Sequence, residues 1–402
     1  AISESLRGWI FLQRGQFEDA IRTFRQVISC GFVSPELYIN LGYAYGAVGS
    51  LHKAIRATQS AVGLASANRT ASFNLAAFRA AAGDEEGALS PLRHLSSYYP
   101  VSLNIAFAIA DVHAKFQNHD IAERELRRAS TSKAGWAANP IERLELKANI
   151  VALQGIQGKL LPLDVRATIL ECLKGTGYRS LSLARMLVPM FKRVSEADAL
   201  AMVHRELGLL HKAEDLLSVS AQVAFLRLDF ASAIKAAEAW TASDPFDRQA
   251  AAMLTYLLLE VRNDPSAAAQ IGRKMLRRYP RDSVLSNNTA YALVLLGECE
   301  EAQRLLTYSG ENSLALATKA LAEVRLGNVE RGLQLYETAA LAAARLPEYS
   351  DAVQLIRYRA SQVARLVGFP PLHDESELSL ELADDPRFYV LQASEVLTRF
   401  LR

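Results

Sequence analysis

Gly8, Gly42, Ala76 and Ala110 follow one another at intervals of 34 residues, and Ala20, Ala54, Ala88 and Ala122 keep the same interval. Two small-residue columns with one period over four units constrain the fold more than any local propensity does, because a fixed period of this size marks a repeat array. A third column, Gly15, Gly49 and Gly83, falls midway between the first two, where one helix stops and the next begins. Glycine suits that place because it enters the left-handed backbone region freely. Gln117 interrupts this column in the fourth unit. Four residues after the alanine column stand Phe24, Leu92 and Leu126, with Thr58 as the exception, on the same face of the second helix.

Antiparallel helices approach closely only where Gly or Ala meets Gly or Ala, and one bulky residue per helix then fills the space toward the next pair. The columns therefore predict helix pairs, none of which buries its apolar face alone. Composition agrees: half of the 402 residues are hydrophobic, and the 21 Gly and 13 Pro are scattered, as in packed helices rather than sheet or disordered chain.

Small residues at positions 8 and 20, Gly near 15, an apolar residue at 24 and a closing proline, here Pro100, make the chain resemble the tetratricopeptide repeat family. The resemblance implies an all-α, right-handed α–α superhelical solenoid whose first helices line a concave groove for a partner protein or peptide. Position 6 of the first helix often carries Asn in that family, and Asn40, Asn74 and Asn288 stand there. An amide can both donate to and accept from an extended backbone. Trp9, Tyr43, Phe73, Phe107 and Tyr291 occupy neighbouring concave positions and would offer aromatic surface to apolar anchors. The family's carboxylate clamp is not matched: Leu6, Arg7 and Trp9 stand where its first Lys and Asn belong, and Phe73 to Arg79 lacks its basic pair.

The pattern returns with Ala221, Ala233 and Pro245, then Ala268 and Pro280 with Tyr256 in the small column, then Ala290, Gly297 and Ala302. Ala320, Gly327, Gly332 and Tyr336 form a further unit only 30 residues on. Between them the register fails, although helices are expected from Pro140 to Gly155, Pro162 to Lys174 and Arg179 to Val194, the last kinked or ended by Pro189. Ala201, Gly208, Ala213 and Leu217 overlap the unit of Ala221 and Ala233, and one long helix from Leu210 to about Leu228 would reconcile the two. After Pro347 a helix runs through Val367 to the stop at Gly368, Pro370 and Pro371, then an acidic segment leads to a last helix from Phe388 to Arg402. The expected organisation is 1–134 an N-terminal array of about four repeats, 135–195 an irregular helical segment, 196–346 a divergent C-terminal array and 347–402 capping helices with an acidic linker.

A formal charge of +2 gives no general field for nucleic acid or an anionic membrane. No apolar run is long enough to span a bilayer, charges such as Arg227 and Glu260 breaking the longer ones. Cys30, Cys172 and Cys299 are too far apart for paired metal-ligand spacing and odd in number, so three reduced thiols and a cytoplasmic setting are expected. Cys30 in particular is expected to be a structural, at least partly buried thiol. The seven histidines form no zinc-ligand pattern, and no phosphate loop, nucleophile elbow or kinase signature occurs. The basic clusters Arg124, Arg127, Arg128 and Arg273, Lys274, Arg277, Arg278 are expected on solvated second helices.

No enzyme, cofactor or metal is expected, and the function expected is that of a protein–protein interaction scaffold or adaptor. The chain begins with Ala1, which leaves open a removed signal peptide or a fragment. The alternatives are the sensor or regulatory part of a larger enzyme, toxin or transcription regulator, and a scaffold subunit of a secretion or envelope assembly.

Overall fold

The computed structural model describes residues 2–280, 282–308, 312–345 and 350–401, and among them every regular element is a helix. Four pairs come first: α1 (Ile2–Gln13) with α2 (Phe17–Ser29), α3 (Pro35–Ala47) with α4 (Leu51–Leu64), α5 (Arg69–Ala81) with α6 (Glu85–Tyr98), and α7 (Leu103–Lys115) with α8 (His119–Thr131). A less regular stretch follows: α9 (Lys133–Ala137), α10 (Pro140–Ile156), α11 (Pro162–Gly175), α12 (Leu181–Leu187) and α13 (Ala197–Gly208). The pairs then resume: α14 (Leu217–Leu226) with α15 (Phe230–Ser243), α16 (Arg248–Glu260) with α17 (Pro265–Leu276), α18 (Ser283–Leu295) with α19 (Cys299–Tyr308), and α20 (Ser313–Arg325) with α21 (Val329–Ala344). The chain closes with α22 (Ser350–Leu366), α23 (Glu375–Glu381), α24 (Pro386–Ala393) and α25 (Val396–Leu401). Two compact units result: Ala1–Met190 with Arg277–Pro280, and Phe191–Leu276 with Arg281–Arg402.

The columns do the work that their sizes demand. Ala20, Ala54, Ala88 and Ala122 are wholly buried, as are Ala233, Ala268, Ala290, Ala302 and Ala320 of the second unit. A Cβ on Gly8 would lie 2.5 Å from the Phe24 ring, and one on Gly42 2.7 Å from the Thr58 methyl. Position 8 thus touches position 24 across the pair. Thr58 fits the apolar column because its hydroxyl is satisfied locally, donating 2.7 Å to the Ala54 carbonyl.

The turns also share one geometry. Gly15, Gly49 and Gly83 have φ of +70°, +77° and +86°, and Gln117 adopts the same region at +64°. Its N–H donates to Ala114 O and that of Asn118 to His113 O, the two bonds that Gly15 and Gln16 make in the first pair. Leu228 at +60°, Asn263 at +54°, Gly297 and Gly327 hold the corresponding places in the second unit. The sequence interruption at Gln117 is therefore no interruption of structure. Side-chain caps open most of the first helices, as Ser34 does for Leu37 N, Asn68 for Ala71 N, Asp247 for Ala250 N and Asp282 for Leu285 N.

Several expectations are corrected. The long helix from Leu210 to Leu228 does not form: α13 ends at Gly208, a 3-10 turn covers Ala213–Leu216, and α14 starts at Leu217. The last helix is two helices, broken at Ser394 and Glu395. Cys30 is exposed at the end of α2, whereas Cys172 and Cys299 are buried, which pushes their thiols up. Arg278 lies beyond α17 and is only 2% exposed, so it is no part of a solvated helix face. Pro189 does end its helix, which stops at Leu187 and passes into a single 3-10 turn. Pro347 lies outside the described residues.

Candidate partner-binding faces

Within each unit the first helices of successive pairs pack side by side: α1 on α3, α3 on α5 and α5 on α7 in the first, α16 on α18, α18 on α20 and α20 on α22 in the second. This closely spaced row is the face on which positions 6 and 9 lie together, three residues apart on one side of a helix.

In the first unit Asn40 on α3 and Asn74 on α5 are half-buried, and neither side chain makes a hydrogen bond among the described residues. Their donors and acceptors are thus not spent on holding the array together, although a half-buried amide is poorly hydrated without a partner. Tyr43, three residues after Asn40, is half-buried and meets the Phe17 ring edge-on at 6.4 Å. Trp9 is 48% exposed on α1. Phe73 and Phe107 are half-buried and packed on the clusters around Leu92 and Leu126, so most of each ring serves the core. The sequence places these six residues on one row of first helices; of them Trp9 is exposed, Asn40 and Asn74 are half-buried without a side-chain hydrogen bond among the described residues, Phe73 and Phe107 are half-buried against the core, and Tyr43 meets Phe17.

The second unit uses the same positions differently. Asn288 on α18 donates 3.2 Å to the Ala252 carbonyl and 3.2 Å to Thr255 Oγ1, bolting α18 to α16. The Tyr291 hydroxyl accepts from Arg359 Nη2 at 3.1 Å. Arg359 on α22 in turn binds Glu260 Oε1 at the end of α16, with the carboxylate 3% exposed. Burial disfavours the charged guanidinium, but the Glu260 carboxylate and the Tyr291 hydroxyl outweigh it and push the arginine further up. Burial pushes the Tyr256, Tyr291 and Tyr336 hydroxyls up, with Arg359 opposing and Glu260 adding to the rise, so all three stay protonated hydroxyls.

Sequence reasoning reached Asn288 and Tyr291 but missed Glu260 and Arg359. Glu260 registers in the sequence only as a charge interrupting an apolar run, and its partner is 99 residues away. An acidic residue within a run as apolar as that of α16 is the one signal that could have flagged it, since lone buried carboxylates are costly.

The basic clusters are partly spent on structure: Arg273 pairs with Glu298 and Glu301, and Arg127 with Glu123. Glu123 on α8 also accepts from Lys159 Nζ at 2.9 Å and Gln154 Nε2 at 3.0 Å. Burial would raise its carboxyl, but the bonds from Lys159, Arg127 and Gln154 prevail and hold it at about 2. Among the described residues no group of His, Cys, Asp and Glu could hold a metal ion, and no helix is long and apolar enough to cross a membrane.

No family model and no curated protein matches the chain in sequence. Among solved structures, it is similar to the APC/C hetero-tetramer Cut9–Hcn1 with a TM-score of 0.44 and 12% identity, covering 98% of this chain and 88% of that one. Yeast Tom70 gives 0.37 and 14% over 99% and 96%, and Naa15/Naa10 bound to HypK-THB gives 0.30 and 14% over 98% and 67%. The chain's own period and turns define its fold: buried small residues at positions 8 and 20, a left-handed residue at 15 and a bulky one at 24. The chain is a succession of tetratricopeptide-like helix pairs.

Proposed function

We propose that this chain is a protein-interaction scaffold, with no catalytic role of its own, that holds an extended segment or a helix of a partner on the first-helix face of its first unit. The observation that carries this reading is the contrast between asparagines at one repeat position. Asn288 is engaged by α16, whereas the Asn40 and Asn74 side chains make no hydrogen bond among the described residues. In the bound state these amides would meet the partner's backbone, a sequence-tolerant contact, and Trp9 and Tyr43 would select its apolar anchors. Phe73 and Phe107 would contribute the walls, and Asn288 and Tyr291 would contribute only indirectly, by holding the second unit.

The test is affinity capture with the full chain beside an Asn40→Ala/Asn74→Ala variant, with circular dichroism as the folding control. A partner retained by the parent chain and lost by an equally helical variant is the expected result. Identical captured sets would remove the asparagine face as the binding site.

A further inference from the structure

The first-helix face of the second unit is covered by the chain's own C-terminal segment. α24 packs on α16 and α22, and α25 packs on α18 and α22. Between the two short helices, Ser394 is extended at φ −73° and ψ 122°, and its hydroxyl donates 2.7 Å to Glu260 Oε2, the oxygen that Arg359 leaves open. The next backbone N–H, that of Glu395, donates 3.1 Å to Asn263 Oδ1 in the turn after α16. Val396 and Leu397 then insert into the main core cluster of the unit, 0% and 3% exposed, while Glu395, Thr398 and Arg399 face out.

While α24 before it has its own hold through the buried Phe388, Val390 and Leu391, Ser394–Leu397 itself is held by one hydroxyl, one backbone N–H and two adjacent aliphatic side chains. That is the economy of peptide recognition, in which main-chain and hydroxyl bonds set register and pockets set choice. A buried carboxylate also makes a poor choice for filling a core, because well-packed apolar residues serve as well or better. Helices of 8 and 6 residues are too short to persist without packing, so release of the segment would also unfold it.

We infer that the α16–α18–α22 face is a peptide-binding site occupied by the chain's own Ser394–Leu397, and that a partner segment of the form hydroxyl residue, any residue, aliphatic, aliphatic competes for it. Glu260 reads the hydroxyl, Asn263 reads the following N–H, and the pocket of the core cluster reads the aliphatic pair. The site belongs to the second unit and is independent of the asparagine face of the first.

The probe is a fluorescein-labelled peptide of residues 384–402, titrated into the full chain and into its Val396→Asp/Leu397→Asp variant, which weakens the internal occupant and leaves the receiving residues intact. The variant binds the peptide tighter than the parent by on the order of tenfold or more, because a site closed most of the time loses apparent affinity in that proportion. A peptide carrying the same two aspartates does not bind, and Asn263→Gly, which suits the φ of +54°, weakens binding to the variant. Equal affinity of parent and variant for the peptide overturns the inference. Should the variant lose helicity, hydrogen exchange on the parent decides. Exchange at Glu395 and Val396 on the order of a hundredfold faster than in the core of α18 means that the segment opens by itself. Exchange at the core rate means that it is integral core, and the inference fails.

Discussion

The two units present the same row of first helices and engage its side chains differently within the fold. In the first, positions 6 and 9 of α1, α3 and α5 carry Asn40, Asn74 and Trp9, whose polar and apolar groups are little used by the fold. In the second, Asn288 and Tyr291 at the same positions are bound to α16 and α22, and a buried carboxylate lies beneath them. Each unit has a buried, multiply bonded glutamate, but Glu123 sits on a second helix and ties α8 to α10 and Lys159, whereas Glu260 sits at the end of a first helix. A repeat position therefore fixes where a side chain points and leaves open whether it serves the array or a visitor.

The sharpest way to break this contrast is at Glu260. Replacing it by Ala leaves Arg359, with 12% of its side chain exposed, charged and without its carboxylate. Stranding one member of a buried pair costs about 3–5 kcal/mol. Urea unfolding followed through Trp240, the only tryptophan of the second unit, in a Trp9→Phe/Trp136→Phe background should show that loss. A cost below 1 kcal/mol would mean that the first-helix face of the second unit is as little used by the fold as that of the first.

The first unit has its own polar dependence, and acid should reveal it. The Glu123 carboxyl is lowered in the folded state, so its contribution is fully present above an ordinary value of 4.5 and is lost as pH falls toward about 2. With Lys159 half exposed, the loss should be roughly 2 kcal/mol once screening is allowed for. Comparison of the parent with Glu123→Gln by helicity between pH 5 and 2 checks it: the variant should be less stable at pH 5, and the gap should close in acid. A gap that stays constant would assign the effect of Glu123 to packing.

Next in size are the asparagines themselves. Asn288→Ala removes two donated bonds between α16 and α18 and should cost about 1–2 kcal/mol. Asn74→Ala removes none and should stay within about 0.5 kcal/mol of the parent. Equal costs would erase the difference on which the proposed binding face of the first unit rests.

The sequence made the skeleton legible because steric demands leave few residue choices. Only Gly fits where Gly8 meets Phe24 without moving the ring, and Gly is the cheapest residue for the turns at 15, 49 and 83. It did not make legible the break at Ser394, where neither Pro nor Gly interrupts the helical pattern and Ser394 bonds Glu260, 134 residues away. Nor did it show that the stretch from Leu210 to Leu216 is not the first part of α14, since Leu210 and Leu217, seven residues apart, fit one helical face. Of the proposed site, the positions of Asn40, Asn74, Tyr43 and Trp9 follow from register. Which amides are engaged depends on neighbours in other repeats, and periodicity carries no information about those.

The smallest effect tests what the two units share. Gln117 in the first and Leu228 in the second hold the left-handed turn at φ +64° and +60° without being glycine. An L-residue there costs about 1–2 kcal/mol, and glycine gives back part of that gain through greater freedom in the unfolded chain. Gln117→Gly and Leu228→Gly should therefore each stabilise their unit by about 0.5–1 kcal/mol. Asn263→Gly provides the internal contrast, because Asn tolerates this region better and its Oδ1 accepts from Glu395 N. Its replacement should give no gain, or a small loss, in the closed chain. Equal gains at 117 and 228 with none at 263 would mean that the turn is common property of both arrays and that the difference between their first-helix faces arises from side chains alone.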